Sequence, residues 1–164
     1  MMPAIPILIP LGDGHSISRF TLTSLVSQSE PIEIITVSRP INYIDKRISE
    51  GLARFTLAEI ALKLAEQKYS FFVMMDRSVI VPSPTTLAQL KAKVSNGQPR
   101  FIHVPYKQRY VPEDHMDIEM FAWPSSLCSV VVKAFSETRY QPGVCWCNAL
   151  QTLALESGIA QEWL

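Results

Sequence analysis

The chain has 164 residues, of which 48% are hydrophobic and 18% charged, a composition typical of one folded globular domain and not of a disordered protein. Fifteen basic residues balance fifteen acidic ones, so the net charge of zero excludes the broad positive field on which sequence-independent nucleic-acid binding depends. The number of cysteines is odd, and the spacing of Cys145 and Cys147 differs from that of zinc ligands, which indicates a reduced protein.

The amino-terminal segment MMPAIPILIPLGDG fits a first strand. It lacks the basic region and the long apolar run of a signal peptide. No stretch of the sequence approaches the roughly 18 consecutive apolar residues that a membrane span requires. We therefore expect a cytoplasmic protein without a membrane span.

The first half of the sequence alternates between two apolar patterns. Short runs rich in β-branched or aromatic residues predict buried strands in AIPILIP, PIEIITVS and YSFFVMMD. Between them, apolar spacings of three and four predict a helix in SISRFTLTSLVSQSE, with Ser16 as N-cap, and the longest helix from Ile48 to Gln67. This order of elements is typical of an α/β fold with a mainly parallel sheet.

The second half continues the alternation with one interruption. PSPTTLAQLKAKVSNGQ predicts a helix, and RFIHVPY predicts a fourth strand. The segment from Lys107 to Ser126 has no clean period and is predicted to be a long surface loop, a kind of segment that often carries function. After it, LCSVVVKAF predicts a strand and WCNALQTLALESG a helix that stops at Gly158.

Polar side chains follow three of the predicted strands directly: Asp13, Ser38 and Asp76. Open α/β sheets bind ligands at the carboxyl ends of their strands, so these residues mark a candidate site. Asp76 and its neighbour Arg77 have two interpretations. They belong to a site for a metal-bound phosphate, or Asp76 caps a surface turn and pairs with Arg77.

Two longer stretches, IPLGDG…LTSLVSQSEPIEIITV and GLARFTLAEIALKLAEQKYSFFVMMDRSVIVPSPTTLAQL, resemble the opening of family 2 glycosyltransferases, which have the GT-A fold. In that family a strand ending in Ile-Pro precedes Leu-x-Ser-Leu-x-x-Gln, and Gly-x-x-x-Arg precedes a helix and a strand ending in Asp-x-Asp. A weaker similarity lies in SVVVKAFSETRYQPGVCWCNALQTLALESG. The resemblance implies one three-layer α/β/α domain over residues 1–164, with a nucleotide-binding core at about 4–95 and an acceptor-side region at about 100–164.

The same resemblance assigns site residues for a nucleotide-diphosphate sugar donor. It implies that Asp76 binds Mg²⁺ or Mn²⁺ together with the donor phosphates. The guanidinium of Arg77 could also meet the diphosphate in place of a metal. The donor-nucleotide contacts that it implies are Pro10, Leu11, Asp13, Arg39, Arg54 and Arg77.

This chain departs from the family at three acidic positions. Ser78 replaces the second acid of Asp-x-Asp, Arg39 lies where the family has an acid that contacts the base, and Cys147 and Asn148 replace the Glu-Asp pair that contains the catalytic base. Asparagine cannot accept the proton of an acceptor hydroxyl. Candidates for a replacement base lie in the segment PEDHMDIE of the predicted loop: Glu113, Asp114, His115, Asp117 and Glu119. Asp114, His115 and Asp117 are selected from them as weak candidates for the catalytic base.

The sequence therefore favours a metal-assisted glycosyltransferase that follows the family in inverting the anomeric centre. Its partners would be a nucleotide-sugar donor and an acceptor, without nucleic acid, with a homo-oligomer or a partner subunit possible. The alternative is a catalytically inactive GT-A-like binding or assembly protein, since three acids are replaced. A nucleotidyltransferase is less favoured because the opening loop has no lysine. Trp123 and Trp163 each have two interpretations, an acceptor-site aromatic or a packing residue.

Overall fold

A computed structural model describes residues 3–38, 46–96, 98–105, 119–138 and 146–164, with only the backbone of residues 46–48 and 146–148. Their strands form one six-stranded sheet in the order β2-β1-β3-β5-β4-β6. The strands are β1 (Ile5–Leu11), β2 (Ile32–Ser38), β3 (Phe71–Met75), β4 (Arg100–His103), β5 (Met120–Pro124) and β6 (Ala160–Trp163).

Helices cover both faces of this sheet. On one face, side chains of β1, β3 and β5 pack against α2, α4 and α5, and we call this the α2 face. On the other, the α1 face, the strands pack against α1 and α3. The result is the mainly parallel, mixed, three-layer α/β/α fold that the sequence predicted. The helices are α1 (Arg19–Val26), α2 (Lys46–Ala65), α3 (Thr86–Val94), α4 (Cys128–Thr138) and α5 (Trp146–Glu156), with a 3₁₀ turn at Ser125–Leu127.

The pairing of the strands decides which ends meet. β1 is parallel to β2 and β3, and β6 is parallel to β4. β5 runs antiparallel to both β3 and β4, so β3 and β4 point the same way. The carboxyl ends of β1, β2, β3, β4 and β6 therefore lie along one edge of the sheet, together with the amino end of β5. We call it the carboxyl edge.

Helix α4 corrects the strand predicted in LCSVVVKAF. The consecutive valines favour a strand by propensity, but tertiary packing overrides this preference. Buried residues recur at helical spacing along the segment, and they pack into the core of the α2 face. These residues are Cys128, Val131, Ala134 and Phe135.

Two strands were not predicted. β5 occupies the last part of the supposed loop from Lys107 to Ser126, where the short segment MFAWP is buried nearly throughout and so shows no alternation. β6 lies at the edge of the sheet beside β4 and is half-exposed, so it has no apolar run to mark it.

The helix ends agree with the sequence in one case and correct it in another. Gly158 has φ +66°, and Ile159 N–H donates to Ala154 C=O at 2.8 Å, so the predicted glycine stop of α5 is confirmed. The N-cap of α1 is Ser18, not Ser16, because the Ser18 side chain accepts a hydrogen bond from Phe20 N–H at 3.3 Å. In the part of the chain that the structure describes, no helix has the length and apolarity needed to cross a bilayer.

Candidate functional site

The loop after β1 is a tight turn on the carboxyl edge. Pro10 is buried and Leu11 half-buried at the end of the strand. His15 N–H donates to Gly12 C=O at 3.0 Å, and Gly14 adopts φ +77°, a conformation that side-chain-bearing residues rarely take. The turn therefore holds its backbone close to the end of the sheet.

Asp13 is the second residue of this turn, with an intermediate exposure. It lies on the same edge of the sheet as Asp76, because β1 and β3 are parallel neighbours. Ser38 ends β2 on that edge and is exposed. The candidate residues after these three strands thus share one edge, as the alternation of elements predicted.

Asp76 is held by backbone hydrogen bonds on both sides. Its N–H donates to Glu119 C=O at 2.9 Å, which extends the β3–β5 pairing by one residue. Its C=O accepts from Val79 N–H at 3.2 Å, which starts a turn. Met74 belongs to the core of the α2 face, so strand alternation directs Asp76 to the same face.

Arg54 meets Asp76 from α2. Its Nη2 lies 2.8 Å from Glu50 Oε1, one helical turn away, and 3.6 Å from Asp76 Oδ1. The arginine side chain is 12% exposed and that of Asp76 is 26% exposed, so bulk water screens this pair only in part. The sequence singled out both residues separately, and the structure brings them together.

Arg77 joins the end of β3 to the loop after β1. Its Nη1 donates to Ser16 C=O at 3.3 Å, and its own C=O accepts from Ser18 N–H at 2.9 Å. A guanidinium has several N–H donors in one plane, so the contact with Ser16 leaves others able to meet a phosphate. Arg77 can therefore position the loop and bind an anion with the same side chain.

Glu119 is a second acid at this point of the sheet. It lies directly opposite Asp76 across the β3–β5 pair, where Cβ atoms are about 5 Å apart. The sequence predicts Glu119 only as one of five candidate bases in PEDHMDIE, and not as a neighbour of Asp76. Its place beside Asp76 follows from the antiparallel pairing of β3 and β5, which the local sequence does not mark.

Asp76 and Glu119 are suited to bind a hard cation only together with a phosphate ligand. Mg²⁺ is commonly held by one or two carboxylates and substrate phosphates, and Asp76 and Glu119 supply carboxylates on neighbouring strands. Within the described ranges no group of three or more His, Cys, Asp or Glu could hold a metal ion. A protein cage is therefore not formed there, but a site shared with a diphosphate is chemically consistent.

Other sequence candidates cannot be placed. Arg39, Asp114, His115 and Asp117 lie outside the described residues, as do the side chains of Cys147 and Asn148.

His103, at the end of β4, is fully buried on the α2 face. Its Nε2 forms a 3.0 Å hydrogen bond with Gln161 Oε1 of β6, and its ring lies 5.5 Å from that of Trp163 and 6.2 Å from that of Phe121. Burial lowers the pKa of the imidazole, and the hydrogen bond to Gln161 opposes that shift. His103 is therefore a neutral structural residue at neutral pH.

The comparisons with known proteins rest on structure alone. No protein-family model matches the sequence, and no curated protein matches it. A glycosyltransferase involved in the glycosylation of the major capsid of PBCV-1 is similar in structure, with a TM-score of 0.60, 13% identity, and coverage of 99% of this chain and 82% of that one.

Two enzymes of another activity are also similar. The 4-diphosphocytidyl-2C-methyl-D-erythritol synthase of Anaerococcus prevotii has a TM-score of 0.52 and 8% identity, covering 98% of this chain and 87% of its own. The 2-C-methyl-D-erythritol 4-phosphate cytidylyltransferase of Thermus thermophilus has a TM-score of 0.52 and 14% identity, covering 99% and 88%. At such identities the likeness concerns the fold. The chain has the GT-A-like fold that these enzymes share.

Proposed function

We propose that this protein is a glycosyltransferase that moves a sugar from a nucleotide-diphosphate donor with the help of Mg²⁺ or Mn²⁺. One observation carries the proposal: Arg54 and Asp76, from a helix and a strand end, meet at the carboxyl edge beside the turn after β1. Open α/β sheets bind their ligands at this edge.

The donor would lie across the ends of β1 and β3. Pro10, Leu11 and Asp13 would line the nucleoside portion, because they form the strand end and turn next to β2. Arg54 and Arg77 would contact the diphosphate, whose charge matches two guanidinium groups placed on either side of β3. Arg39 is proposed as a further nucleotide contact from the resemblance alone.

Asp76 would bind the metal ion with the diphosphate, and Glu119 is our candidate for a second carboxylate in place of the missing acid at Ser78. When bound, the ion stabilises the negative charge that develops on the departing diphosphate. Arg54 would oppose ion binding in the absence of the donor, because its positive charge already lies beside Asp76. The site would therefore take the ion together with the diphosphate.

The general base is proposed to come from the segment before β5. Asp114, His115 and Asp117 are the candidates, and the chain that carries them leads directly to Glu119. A base there would deprotonate the acceptor hydroxyl as it attacks the anomeric carbon, and direct displacement would invert that carbon. In this scheme residues 4–95 bind the donor and residues 100–164 the acceptor.

The second candidate is a GT-A-like protein that binds or assembles without catalysis. The observation that favours it is the same ion pair, because Arg54 gives Asp76 a positively charged partner without a metal ion. Such a protein would use the carboxyl edge for a ligand or a partner subunit, and it would transfer no sugar.

Calorimetry with UDP, GDP and their sugars, with and without Mn²⁺, tests the proposal. We expect at least one nucleotide diphosphate to bind more tightly with Mn²⁺ than without it. Failure of all of them to bind at millimolar concentration would eliminate the transferase. Binding without sugar release to water or to any acceptor glycoside would favour the inactive protein, and binding of CTP in preference to every diphosphate would indicate a nucleotidyltransferase.

A further inference from the structure

Trp163 is an aromatic side chain on the carboxyl edge that the donor site does not use. It ends β6, and 44% of it is exposed, whereas Trp123 on β5 is fully buried. We propose that the indole of Trp163 is the platform on which the pyranose ring of a carbohydrate acceptor stacks. The inference rests on the proposed function, since it names the substrate class for the acceptor half of that site.

Trp163 lies on the same face of the sheet as Asp76. His103 is opposite Trp163 in the β4–β6 pair and opposite Phe121 in the β4–β5 pair, and the three rings are in contact. Phe121 belongs to the core of the α2 face, the face to which Asp76 and Arg54 also turn. A ligand that extends from Asp76 along the carboxyl edge on this face would therefore reach Trp163.

The separation suits a second sugar rather than the donor itself. β3 and β6 are three strand spacings apart, about 14 Å, and Asp76 lies two residues beyond the level of Trp163, about 7 Å along the strand. A metal-bound diphosphate at Asp76 reaches only the neighbouring strands. The donor sugar comes next along the edge, and the ring that accepts it follows.

The chemistry around the indole matches a pyranose. The indole ring packs against the imidazole of His103, which is buried and hydrogen-bonded to Gln161. The indole is therefore held in place before the ligand binds. The C–H face of a sugar ring is apolar and covers an aromatic surface, while its hydroxyls need polar partners. Gln161, two positions before Trp163 on β6, offers an amide for such a hydroxyl.

Nuclear magnetic resonance with methyl glycosides tests this directly. The probes are the methyl glycosides of glucose, galactose and mannose, titrated with and without saturating nucleotide diphosphate. We expect at least one to shift the Trp163 indole N–H signal, which Trp163→Phe identifies by its disappearance. Trp163→Ala should lower the affinity for that glycoside by at least about tenfold, because truncating a central aromatic contact causes the largest loss of binding. Trp163→Phe should lower it by less.

Phe20→Ala is the matched control, since Phe20 is an aromatic residue 59% exposed on α1, on the opposite face. It should leave glycoside affinity unchanged. The inference is overturned if no glycoside binds, with or without nucleotide. It is also overturned if Trp163→Ala binds the glycoside with the affinity of the natural protein, or if this variant loses affinity for the nucleotide instead of the glycoside. Because the indole signal is read in the unsubstituted protein, poor folding of a variant cannot imitate a positive result.

Failure of the proposed function has a different signature. A nucleotide diphosphate that never binds, with glycosides that still move the Trp163 signal, would reject donor chemistry and leave the carbohydrate platform in place. Nucleotide binding without glycoside binding would reject the carbohydrate platform and leave the proposed donor chemistry in place.

Discussion

Arg54 Nη2 lies 3.6 Å from Asp76 Oδ1, and the same nitrogen lies 2.8 Å from Glu50 Oε1. The contact joins the long helix α2 to the end of β3. One guanidinium thus faces two carboxylates, one on its own helix and one on the edge of the sheet. This arrangement gives Asp76 a positive neighbour before any ligand arrives, and it makes the response to a metal ion depend on Arg54.

Replacing Arg54 should affect metal and nucleotide binding in opposite directions. Arg54→Gln removes the positive charge beside Asp76, so Mn²⁺ alone should bind roughly fivefold more tightly, the size expected for a partly screened charge pair. The nucleotide diphosphate without metal should bind more weakly, because a cation that faces the phosphates is lost. Calorimetric titration of each ligand separately measures both effects.

Glu50→Gln is the matched control for that variant. It leaves the charge on Arg54 but removes its helical partner, so more of the positive field reaches Asp76. Mn²⁺ alone should then bind no more tightly than to the natural protein. If both variants raise Mn²⁺ affinity equally, the effect is not specific to the charge beside Asp76.

Glu119 should matter for the metal ion and not for the nucleotide alone. Glu119→Gln keeps the size of the side chain and removes its charge. Mn²⁺ should improve nucleotide-diphosphate affinity in the natural protein. In the variant we expect this improvement to be smaller by a factor of at least about ten, as for losses of groups around a metal site. Affinity measured in excess chelator should not fall. Equal Mn²⁺ dependence in the two proteins would remove Glu119 from the site.

His103 should make the free energy of unfolding depend on pH. Its pKa in the folded state is lowered, chiefly by burial, so the unfolded chain takes up a proton where the folded protein does not. This group costs no stability above its ordinary pKa of about 6.5, and stability falls as the pH drops below that value, by up to about 1.4 kcal/mol per pH unit. Urea unfolding of the natural protein and His103→Gln over about pH 5 to 8 measures the difference. Identical slopes would contradict it.

Helix α4 offers a test of the packing that overrode its strand-like sequence. Phe135 is buried and its ring meets that of Phe121 edge-on at 6.5 Å. Phe135→Ala should lower the free energy of unfolding by about 3 to 5 kcal/mol because it leaves a cavity. Leu155→Ala on α5, at a side chain 81% exposed, should change it by less than about 0.5 kcal/mol. Chemical denaturation measures both, and equal effects would reject the assigned core.

The sequence predicted the fold where its local signals agreed with the packing. The runs that became β1 and β3 are buried as their apolar composition indicated, and Gly158 ends α5. The run of β2 forms the predicted strand, but it was wrongly predicted to be buried, because β2 lies at the edge of the sheet and alternates between half-buried and exposed residues. It failed at α4, where consecutive valines favour a strand but the burial period is helical. It also missed β5 and β6, which are short and lack alternation, because their pairing depends on distant strands.

The sequence predicted individual site residues but not which of them lie in contact. Asp76 is marked by its place at the end of an apolar strand, and Arg54 by the resemblance. Their contact depends on how α2 crosses the α2 face, which local patterns do not encode. Glu119, one of the predicted candidate bases, is recognised as a neighbour of Asp76 only when β5 is known to run antiparallel to β3, so that the amino end of β5 reaches the carboxyl edge.

The affinity of nucleotide diphosphates for Asp76→Asn, measured by calorimetry with and without Mn²⁺, tests the central claim most directly. Asparagine keeps the shape of the side chain and removes the charge that would bind the ion. The account predicts that Mn²⁺ improves nucleotide affinity in the natural protein and no longer does so in the variant. A variant whose affinity still improves with Mn²⁺ as much as that of the natural protein would contradict it.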